Sequence, residues 1–243
     1  MCSTEDQEKE EMKKKPYREA VGCLIYAAIT VRPDISYAVG RVSRFCEIPG
    51  RPHWSAVKHI LSYLAGTKNH GICFSDGNGE RNTLLGFCDS DYAGEVDTRR
   101  STSGLVFMAN NGPISWGSTR QTCIAQSTTE AEYVSLNEAA REAVWLRRLM
   151  NGINCQQLQP TKLYCDNQMS AFRLAGNPEL HKKTKHIEVK YHYVREQQQK
   201  EEIKIEYVPT NQQTVDFLTE PLAVVTFREM RERLGVKEAP ITI

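Results

Sequence analysis

The sequence has 243 residues, of which 40% are hydrophobic and 25% are charged, so its composition is that of a globular protein with an ordinary core. It contains no run of the ~18 to 20 apolar residues that a membrane span needs, and its charged start lacks the apolar segment of a secretory signal. Because the apolar segments for these purposes are missing, membrane insertion and secretion are not expected. The formal net charge of +1 does not exclude any class of binding partner.

The first third of the chain changes from acidic to basic. Residues 1–12 carry a net charge of −4 and no hydrophobic periodicity, so residues 1–15 are predicted to be a disordered tail. Residues 13–70 carry a net charge of +7, which suits nucleic acid and equally suits a solvated basic surface. Apolar residues at helical spacing, with Asp34 as a helix cap and Gly66 as a terminator, predict a small all-helical unit over residues 16–72.

The rest of the chain, residues 80–236, has an α/β pattern. Short β-type runs at 83–88, 104–109, 113–116 and 122–125 predict three antiparallel strands, with a hairpin turn at residues 110–112. A long helix begins near Ser127 and ends at residues 151–152, followed by strands at 162–165 and 203–208. Further helices are predicted at 167–175, at 184–199 and after the last strand. Because strands separated by helices run parallel, the product is a mixed five-stranded sheet with flanking helices.

Four acids lie at the predicted ends of strands and starts of helices. Asp89 and Asp166 each follow an apolar strand directly, Glu132 lies in the first turn of the long helix, and Asp216 is placed at the start of the final helix. Each acid alone is more often a turn or cap residue. Together, at the carboxyl edge of one sheet, they repel each other unless hard divalent cations such as magnesium lie among them.

The eight cysteines offer no comparable site. None forms a Cys-x-x-Cys pair and several lie in apolar runs, which predicts buried, reduced thiols in an intracellular protein and no structural zinc.

The motifs around these acids resemble the ribonuclease H domain of copia-type LTR-retrotransposon Pol polyproteins. The matching stretches include GFCDSDYAGEVDTRRSTSG (86–104), AQSTTEAEYVSLNEAAREAVWLRRLM (125–150), LYCDNQMSAFRLAGNP (163–178) and YVPTNQQTVDFLTEPL (207–222). Residues 17–45 and 53–72 resemble the thumb and connection part of the reverse transcriptase in the same polyproteins. The resemblance covers about residues 16–230 and implies a ribonuclease H-like fold.

The resemblance also implies a catalytic and metal-binding role for Asp89, Glu132, Asp166 and Asp216, which would hold two Mg²⁺ ions, or Mn²⁺ in their place. The sequence leaves two alternatives open, namely Asp91 for Asp89 and Glu130 for Glu132. The loop at residues 209–214 lacks the histidine that many cellular ribonucleases H carry there, as does the copia group.

The implied partner is an RNA–DNA hybrid, which proteins recognise mainly by shape, phosphates and 2′-hydroxyls. The predicted contacts are polar or basic residues near the acids: Arg99, Arg100, Ser101, Arg120, Gln121, Ser127, Thr128, Asn167, Gln168 and Lys185.

The implied reaction is endonucleolytic cleavage of the RNA strand, leaving 3′-hydroxyl and 5′-phosphate ends. The chain contains no Tyr-x-Asp-Asp polymerase motif, so the remaining reverse transcriptase domains are a second expected partner. A catalytically silent remnant that only binds nucleic acid is the alternative function. The expected location is intracellular, in the cytoplasm within a virus-like particle or in the nucleus.

Overall fold

The structure is a computed structural model that describes residues 4–75, 81–166 and 185–239. The chain divides into two units, one formed by residues 1–72 with 236–243 and the other by residues 73–235. The helix predicted at 167–175 lies outside the described residues. The sequence-based interpretation of the first unit as a thumb and connection remnant stays a prediction.

The first unit is helical, as its periodicity predicts. It contains α1 (Thr4–Lys13), α2 (Tyr17–Thr30), a 3₁₀ turn (Pro33–Ile35), α3 (Ser36–Ser43) and α4 (Arg51–Gly66). Two three-residue strands, β1 (His70–Ile72) and β7 (Val236–Glu238), pair antiparallel in the same unit. The apolar faces of the four helices meet in one core, which includes Tyr17, Leu24, Val39 and Val57.

Helix α1 corrects the prediction of disorder for residues 1–15 in the part that the structure describes, which begins at Thr4. Met12 is 4% exposed and belongs to the core of the helical unit. Glu8 accepts a hydrogen bond of 2.7 Å from the backbone N–H of Arg51, and the Arg51 guanidinium lies 2.6 Å from a carboxylate oxygen of Glu11. Two of the acids that suggested a solvated tail, Glu8 and Glu11, thus bind the start of α4, and the apolar side chain of Met12 packs in the core.

A buried ion pair joins the turn after α2 to α4. The Arg32 guanidinium donates to both carboxylate oxygens of Asp34, at 2.9 and 2.8 Å, and the Tyr63 hydroxyl donates to Asp34 at 2.6 Å. Arg32 also donates to the carbonyl and hydroxyl oxygens of Thr67. The predicted role of Asp34 as a helix cap is therefore wrong, because its carboxylate is used by this network and the cap of α3 makes no side-chain hydrogen bond.

We expect Tyr63→Phe to destabilise the helical unit by about 1.5 to 3 kcal/mol, because it removes a hydrogen bond to a buried carboxylate and leaves the ring in place. Urea unfolding followed by circular dichroism measures the change. Tyr26→Phe is the matched control, since Tyr26 is 69% exposed. Equal midpoints for the two variants would contradict the proposed weight of this hydrogen bond.

The second unit contains the sheet. Its strands are β2 (Leu85–Ser90), β3 (Thr102–Ala109), β4 (Gly112–Arg120), β5 (Thr161–Cys165) and β6 (Ile203–Tyr207). Its helices, in the described residues, are α5 (Thr128–Gly152), α6 (Lys185–Gln199) and α7 (Val224–Arg233), with 3₁₀ turns at Thr210–Gln212 and Asp216–Leu218.

The predicted mixed five-stranded sheet with flanking helices is confirmed. The strand order is β4-β3-β2-β5-β6, in which β2, β3 and β4 are antiparallel neighbours and β2, β5 and β6 are parallel neighbours. The run at 122–125 is not a strand, which corrects that prediction. The neighbouring strand β3 begins at Thr102, which pairs with Arg120. Residues 122–125 therefore lie beyond the start of β3 and have no strand beside them among the described residues.

The core of the second unit lies between the sheet and its helices. The apolar face of α5, which includes Leu136, Ala140 and Ala143, packs in one cluster with Phe107 of β3 and Leu163 of β5. Val194 of α6 closes the same cluster. This packing fixes the start of α5 against the carboxyl ends of β2 and β5, where the predicted acids lie.

Among the helices of the described residues, none has the length and apolar character needed to cross a membrane.

Candidate metal centre

Two of the predicted acids are brought together by parallel pairing of β2 with β5. Phe87 is opposite Tyr164 in this pair, so Asp89 at the end of β2 and Asp166 directly after β5 meet at the same edge. The apolar residues that precede each acid hold the strands in the core, and the acids emerge where the strands end.

Glu132 reaches the same place from the first turns of α5. Ser127 caps this helix by accepting a hydrogen bond of 3.2 Å from the backbone N–H of Glu130. Glu132 is 8% exposed, and one of its carboxylate oxygens accepts a hydrogen bond of 3.1 Å from the hydroxyl of Ser90. Its other carboxylate oxygen is buried and has no hydrogen-bond partner among the residues that the structure describes. A buried oxygen without a donor is costly unless a cation or water faces it.

The side chains of Asp89, Glu132 and Asp166 each offer one oxygen, and these oxygens lie within 4.8 Å of one another. Asp166 also accepts a hydrogen bond of 3.1 Å from the hydroxyl of Thr210. Carboxylate oxygens are the ligands that hard divalent cations take in proteins. The three residues therefore form a cluster that fits a divalent cation, and we call it the carboxylate cluster.

Asp216 lies beside the carboxylate cluster, in the 3₁₀ turn Asp216–Leu218. The prediction that it begins the final helix is wrong, since α7 begins at Val224. One carboxylate oxygen of Asp216 is buried and has no hydrogen-bond partner within residues 4–75, 81–166 and 185–239. Its backbone carbonyl lies 2.9 Å from the Thr219 hydroxyl oxygen, which is 2.5 Å from a carboxylate oxygen of Asp89, so Asp216 lies close to Asp89.

The protonation of these acids reflects burial and mutual repulsion. Burial, followed by the charges of Asp89 and Asp166, raises the pKa of Asp216 to about 7. Burial is also the main cause that raises the pKa of Asp89 to about 6, with the charge of Asp166 adding to it and the hydrogen bond from Thr219 opposing it. Burial and the same neighbouring charges raise the pKa of Glu132 well above its usual value. Such a cluster takes up protons in the absence of cations and releases them when cations bind.

The two alternative acids are occupied elsewhere. The Asp91 carboxylate accepts a short hydrogen bond from the backbone N–H of Thr102, which closes the turn after β2. The Glu130 carboxylate accepts a hydrogen bond of 3.0 Å from the backbone N–H of Gln126 and so caps α5. Both contacts are typical structural uses of an acid, and they favour Asp89 and Glu132 as the members of the site.

Three polar residues that the sequence analysis did not select fasten the chain between β6 and α7 to this edge of the sheet. The Gln213 side chain is fully buried and donates to the backbone carbonyl of Cys88 at 3.0 Å. The Thr219 hydroxyl donates to Asp89 at 2.5 Å, and Thr210 donates to Asp166. The one signal in the sequence is their place within three to six residues of Asp216, which does not distinguish them from ordinary loop residues.

Two of the predicted nucleic-acid contacts are buried inside the second unit. Ser101 is fully buried and its hydroxyl accepts a hydrogen bond from the backbone N–H of Ala93. Gln121 is 1% exposed and donates to Ser103 and to the backbone carbonyl of Ala131. Neither side chain is placed to contact a nucleic acid, so these two predictions are corrected. Ser101 directly precedes β3 and Gln121 directly follows β4, and both side chains are buried at these strand ends.

The other predicted contacts differ in their surroundings. Arg99 is exposed and Arg100 is half-buried in the loop between β2 and β3. Arg120 forms an ion pair of 3.0 Å with Glu95, which reduces its freedom to bind a phosphate. Ser127 is the cap of α5, and Thr128 is exposed in the first turn of that helix. Asn167, Gln168 and the side chain of Lys185 lie outside the described residues.

A separate cleft of about 880 Å³ lies at the opposite end of the strands. It is lined by the starts of β2 and β5, including Leu85 and Lys162, and by Gln157 in the loop before β5. The carboxylate cluster is not in this cleft but at the other end of the same strands.

Comparison with known proteins gives clear relatives by sequence. The chain is 44% identical over 236 residues to the retrovirus-related Pol polyprotein from transposon TNT 1-94 of Nicotiana tabacum, covering 97% of this chain and 17% of that protein. It is 40% identical over 224 residues to the corresponding polyprotein from transposon RE2 of Arabidopsis thaliana, covering 92% of this chain and 15% of that protein. The chain therefore spans about a sixth of the length of these relatives. No protein-family model matches it.

Among solved structures, the chain is similar to the N-terminal RNase H domain of the Mycobacterium tuberculosis protein Rv2228c. The sequence identity is 14% and the TM-score is 0.43, over 62% of this chain and 96% of that one.

Proposed function

The chain belongs to the copia-type family of retrotransposon Pol polyproteins, and on that basis we propose that its second unit is a ribonuclease H that hydrolyses the RNA strand of RNA–DNA hybrids with divalent cations. The observation that carries the proposal is the carboxylate cluster at the carboxyl ends of two parallel strands. Its acids repel each other, and among the residues that the structure describes none of them forms an ion pair with a basic side chain. This arrangement suits a cation-dependent reaction.

Asp89, Glu132 and Asp166 are the residues that would hold the cations, and Asp216 would complete the set from the neighbouring turn. One buried oxygen each of Glu132 and Asp216 fits this role, because neither has a hydrogen-bond donor in the described part of the chain, whereas a structural carboxylate normally has one. We propose Mg²⁺, in two sites, as the natural cation. When bound, such ions supply Lewis-acid stabilisation of a phosphodiester and a more acidic water.

The chain's own residues supply the rest of the site. Ser90 holds one oxygen of Glu132, and Thr210 holds one oxygen of Asp166, so each carboxylate keeps one direction towards the shared centre. The exposed side chain of Arg99 and the exposed start of α5 at Thr128 are the described groups best placed to bind phosphates of the hybrid. The remaining reverse transcriptase domains are the proposed protein partner.

A cleavage assay tests the proposal directly. The chain is incubated with an end-labelled RNA–DNA hybrid and Mg²⁺ or Mn²⁺, beside an Asp166→Asn variant and a duplex of DNA alone. We expect cleavage of the RNA strand with 5′-phosphate ends by the native chain, and none by the variant. Hybrid binding without cleavage by the native chain would instead favour a silent nucleic-acid-binding remnant, and cleavage retained by Asp166→Asn would contradict the proposed centre.

A further inference from the structure

The segment between β6 and α7 contacts the carboxylate cluster at its two ends. Thr210 near its start bonds Asp166, and Thr219 near its end bonds Asp89, with the buried Gln213 between them fixed to the backbone of β2. Of the two threonines, Thr219 is the more enclosed, with 1% of its surface exposed, whereas Thr210 is exposed. The Thr219 hydroxyl is therefore shielded from bulk water, whereas that of Thr210 is not.

We propose that Thr219 is a positioning residue whose hydroxyl fixes the Asp89 carboxylate in the orientation that binds the divalent cation. The proposal rests on the function proposed above. Thr219 does not touch the substrate or the cation in this view; it acts through Asp89.

The contacts of the hydroxyl support this role. Its oxygen lies 2.5 Å from an Asp89 carboxylate oxygen and 2.9 Å from the backbone carbonyl of Asp216. A hydroxyl has one proton, and an ionised carboxylate is the stronger acceptor, so the proton belongs to Asp89 when that acid is charged. The same side chain thus links the strand acid to the turn that carries Asp216.

The need for such a link follows from the geometry of aspartate. The terminal torsion of an aspartate side chain has a broad energy minimum, so the carboxylate rotates easily unless a donor holds it. Hydrogen bonds to ligating carboxylates commonly set their orientation, and losing one costs about 10- to 100-fold in metal affinity or activity. Within the described residues, Thr219 supplies the one side-chain hydrogen bond to the Asp89 carboxylate, beside a backbone hydrogen bond from Ser90.

The methyl group of Thr219 has a separate, structural contact. A Cβ placed on Gly104 of β3 would lie 2.7 Å from the Cγ2 of Thr219, so the methyl packs directly over the glycine. The hydroxyl and the methyl are therefore separable by substitution. Thr219→Val keeps the methyl and removes the donor, whereas Thr219→Ser keeps the donor and removes the methyl.

The test measures Mn²⁺ binding to the full chain without substrate, by electron paramagnetic resonance, together with the melting temperature of each variant. We expect Thr219→Val to raise the Mn²⁺ concentration at half-saturation by about 10- to 100-fold, and Thr219→Ser to stay near the native value. Thr161→Val is the matched control, since Thr161 is also a buried threonine but lies at the start of β5 and bonds Arg147. It should leave Mn²⁺ binding unchanged.

The result that overturns the proposal is a Thr219→Val variant that binds Mn²⁺ like the native chain, or a Thr219→Ser variant as impaired as Thr219→Val. A native chain that binds no Mn²⁺ overturns it as well. If Thr219→Val does not fold, Thr219→Ser and Thr219→Ala replace the pair, because both lack the methyl and differ only in the hydroxyl. A native chain that binds Mn²⁺ but does not cleave hybrids refutes the proposed function, while the comparison of variants still decides the role of Thr219.

Discussion

Asp89→Asn is expected to lower hybrid cleavage by about a thousandfold, which corresponds to about 4 kcal/mol of transition-state stabilisation. Asparagine preserves the size of the side chain and its acceptor oxygen for Thr219, but it removes the charge that a cation requires. Single-turnover cleavage of a labelled hybrid at saturating Mg²⁺ measures the loss. Raising the Mg²⁺ or Mn²⁺ concentration should recover little of it, because the ligand charge itself is gone.

The chain provides matched controls for this loss. Asp91 lies two residues further on, and its carboxylate bonds the backbone of Thr102 rather than the cluster. Glu130 lies two residues before Glu132 and caps α5. We expect Asp91→Asn and Glu130→Gln to keep cleavage within about threefold of the native rate, since amide oxygens still accept these hydrogen bonds. If Asp91→Asn abolished cleavage and Asp89→Asn did not, the assignment of the first-strand acid would be reversed.

Asp89→Asn is also expected to make the cation-free protein more stable at about pH 8, although it destroys activity. Burial raises the pKa of Asp89 from 3.8 to about 6. The folded protein therefore binds this proton more tightly than the unfolded chain, so folding stability is lost as the pH rises from about 4 through about 6. This increase in the pKa of Asp89 corresponds to a loss of about 3 kcal/mol of folding stability, or roughly 6 to 12 °C in melting temperature for a unit of this size.

Thermal unfolding in a chelator, at several values between about pH 4 and pH 8, measures this effect. The native chain should lose stability with increasing pH relative to Asp89→Asn, and the two curves should converge near pH 4. Adding Mg²⁺ should restore the native chain at about pH 8 and change little at about pH 5, because the ligands must be deprotonated to bind. If the melting temperatures of the two proteins changed equally with pH, the pKa of Asp89 would not be raised in the folded state, and the prediction would be wrong.

The main features of the second unit could be predicted from the sequence because they depend on local patterns. Apolar runs followed directly by an acid placed Asp89 and Asp166 at strand ends, and the parallel pairing of β2 with β5 then placed them side by side. The start of the long helix at Ser127 put Glu132 near them. In each case, the position of the acid follows from the nearest secondary-structure element.

The rest depends on contacts between distant parts of the chain. The hydrogen bond from Thr219 to Asp89 spans 130 residues, and that from Gln213 to Cys88 spans 125. No local pattern distinguishes these polar residues from loop residues, and the burial of Ser101 and Gln121 is hidden for the same reason. Helix α1 is likewise stabilised by contacts of Glu8 and Glu11 with Arg51, which is about forty residues away in the sequence.

The parallel pairing of β2 with β5 has a consequence for how the second unit folds. Leu85 pairs with Lys162 across an intervening hairpin and the 25-residue helix α5, so this contact closes a long loop, and such contacts slow folding. The same step brings Asp89 and Asp166 together, which adds charge repulsion at neutral pH to the entropy of closure. Before β5 docks, Asp166 is apart from Asp89, so the proposed cation site is incomplete. We therefore expect affinity for a divalent cation to report completed docking of the central strands, and a nascent chain that has not yet reached β5 to bind the ion more weakly than the folded chain.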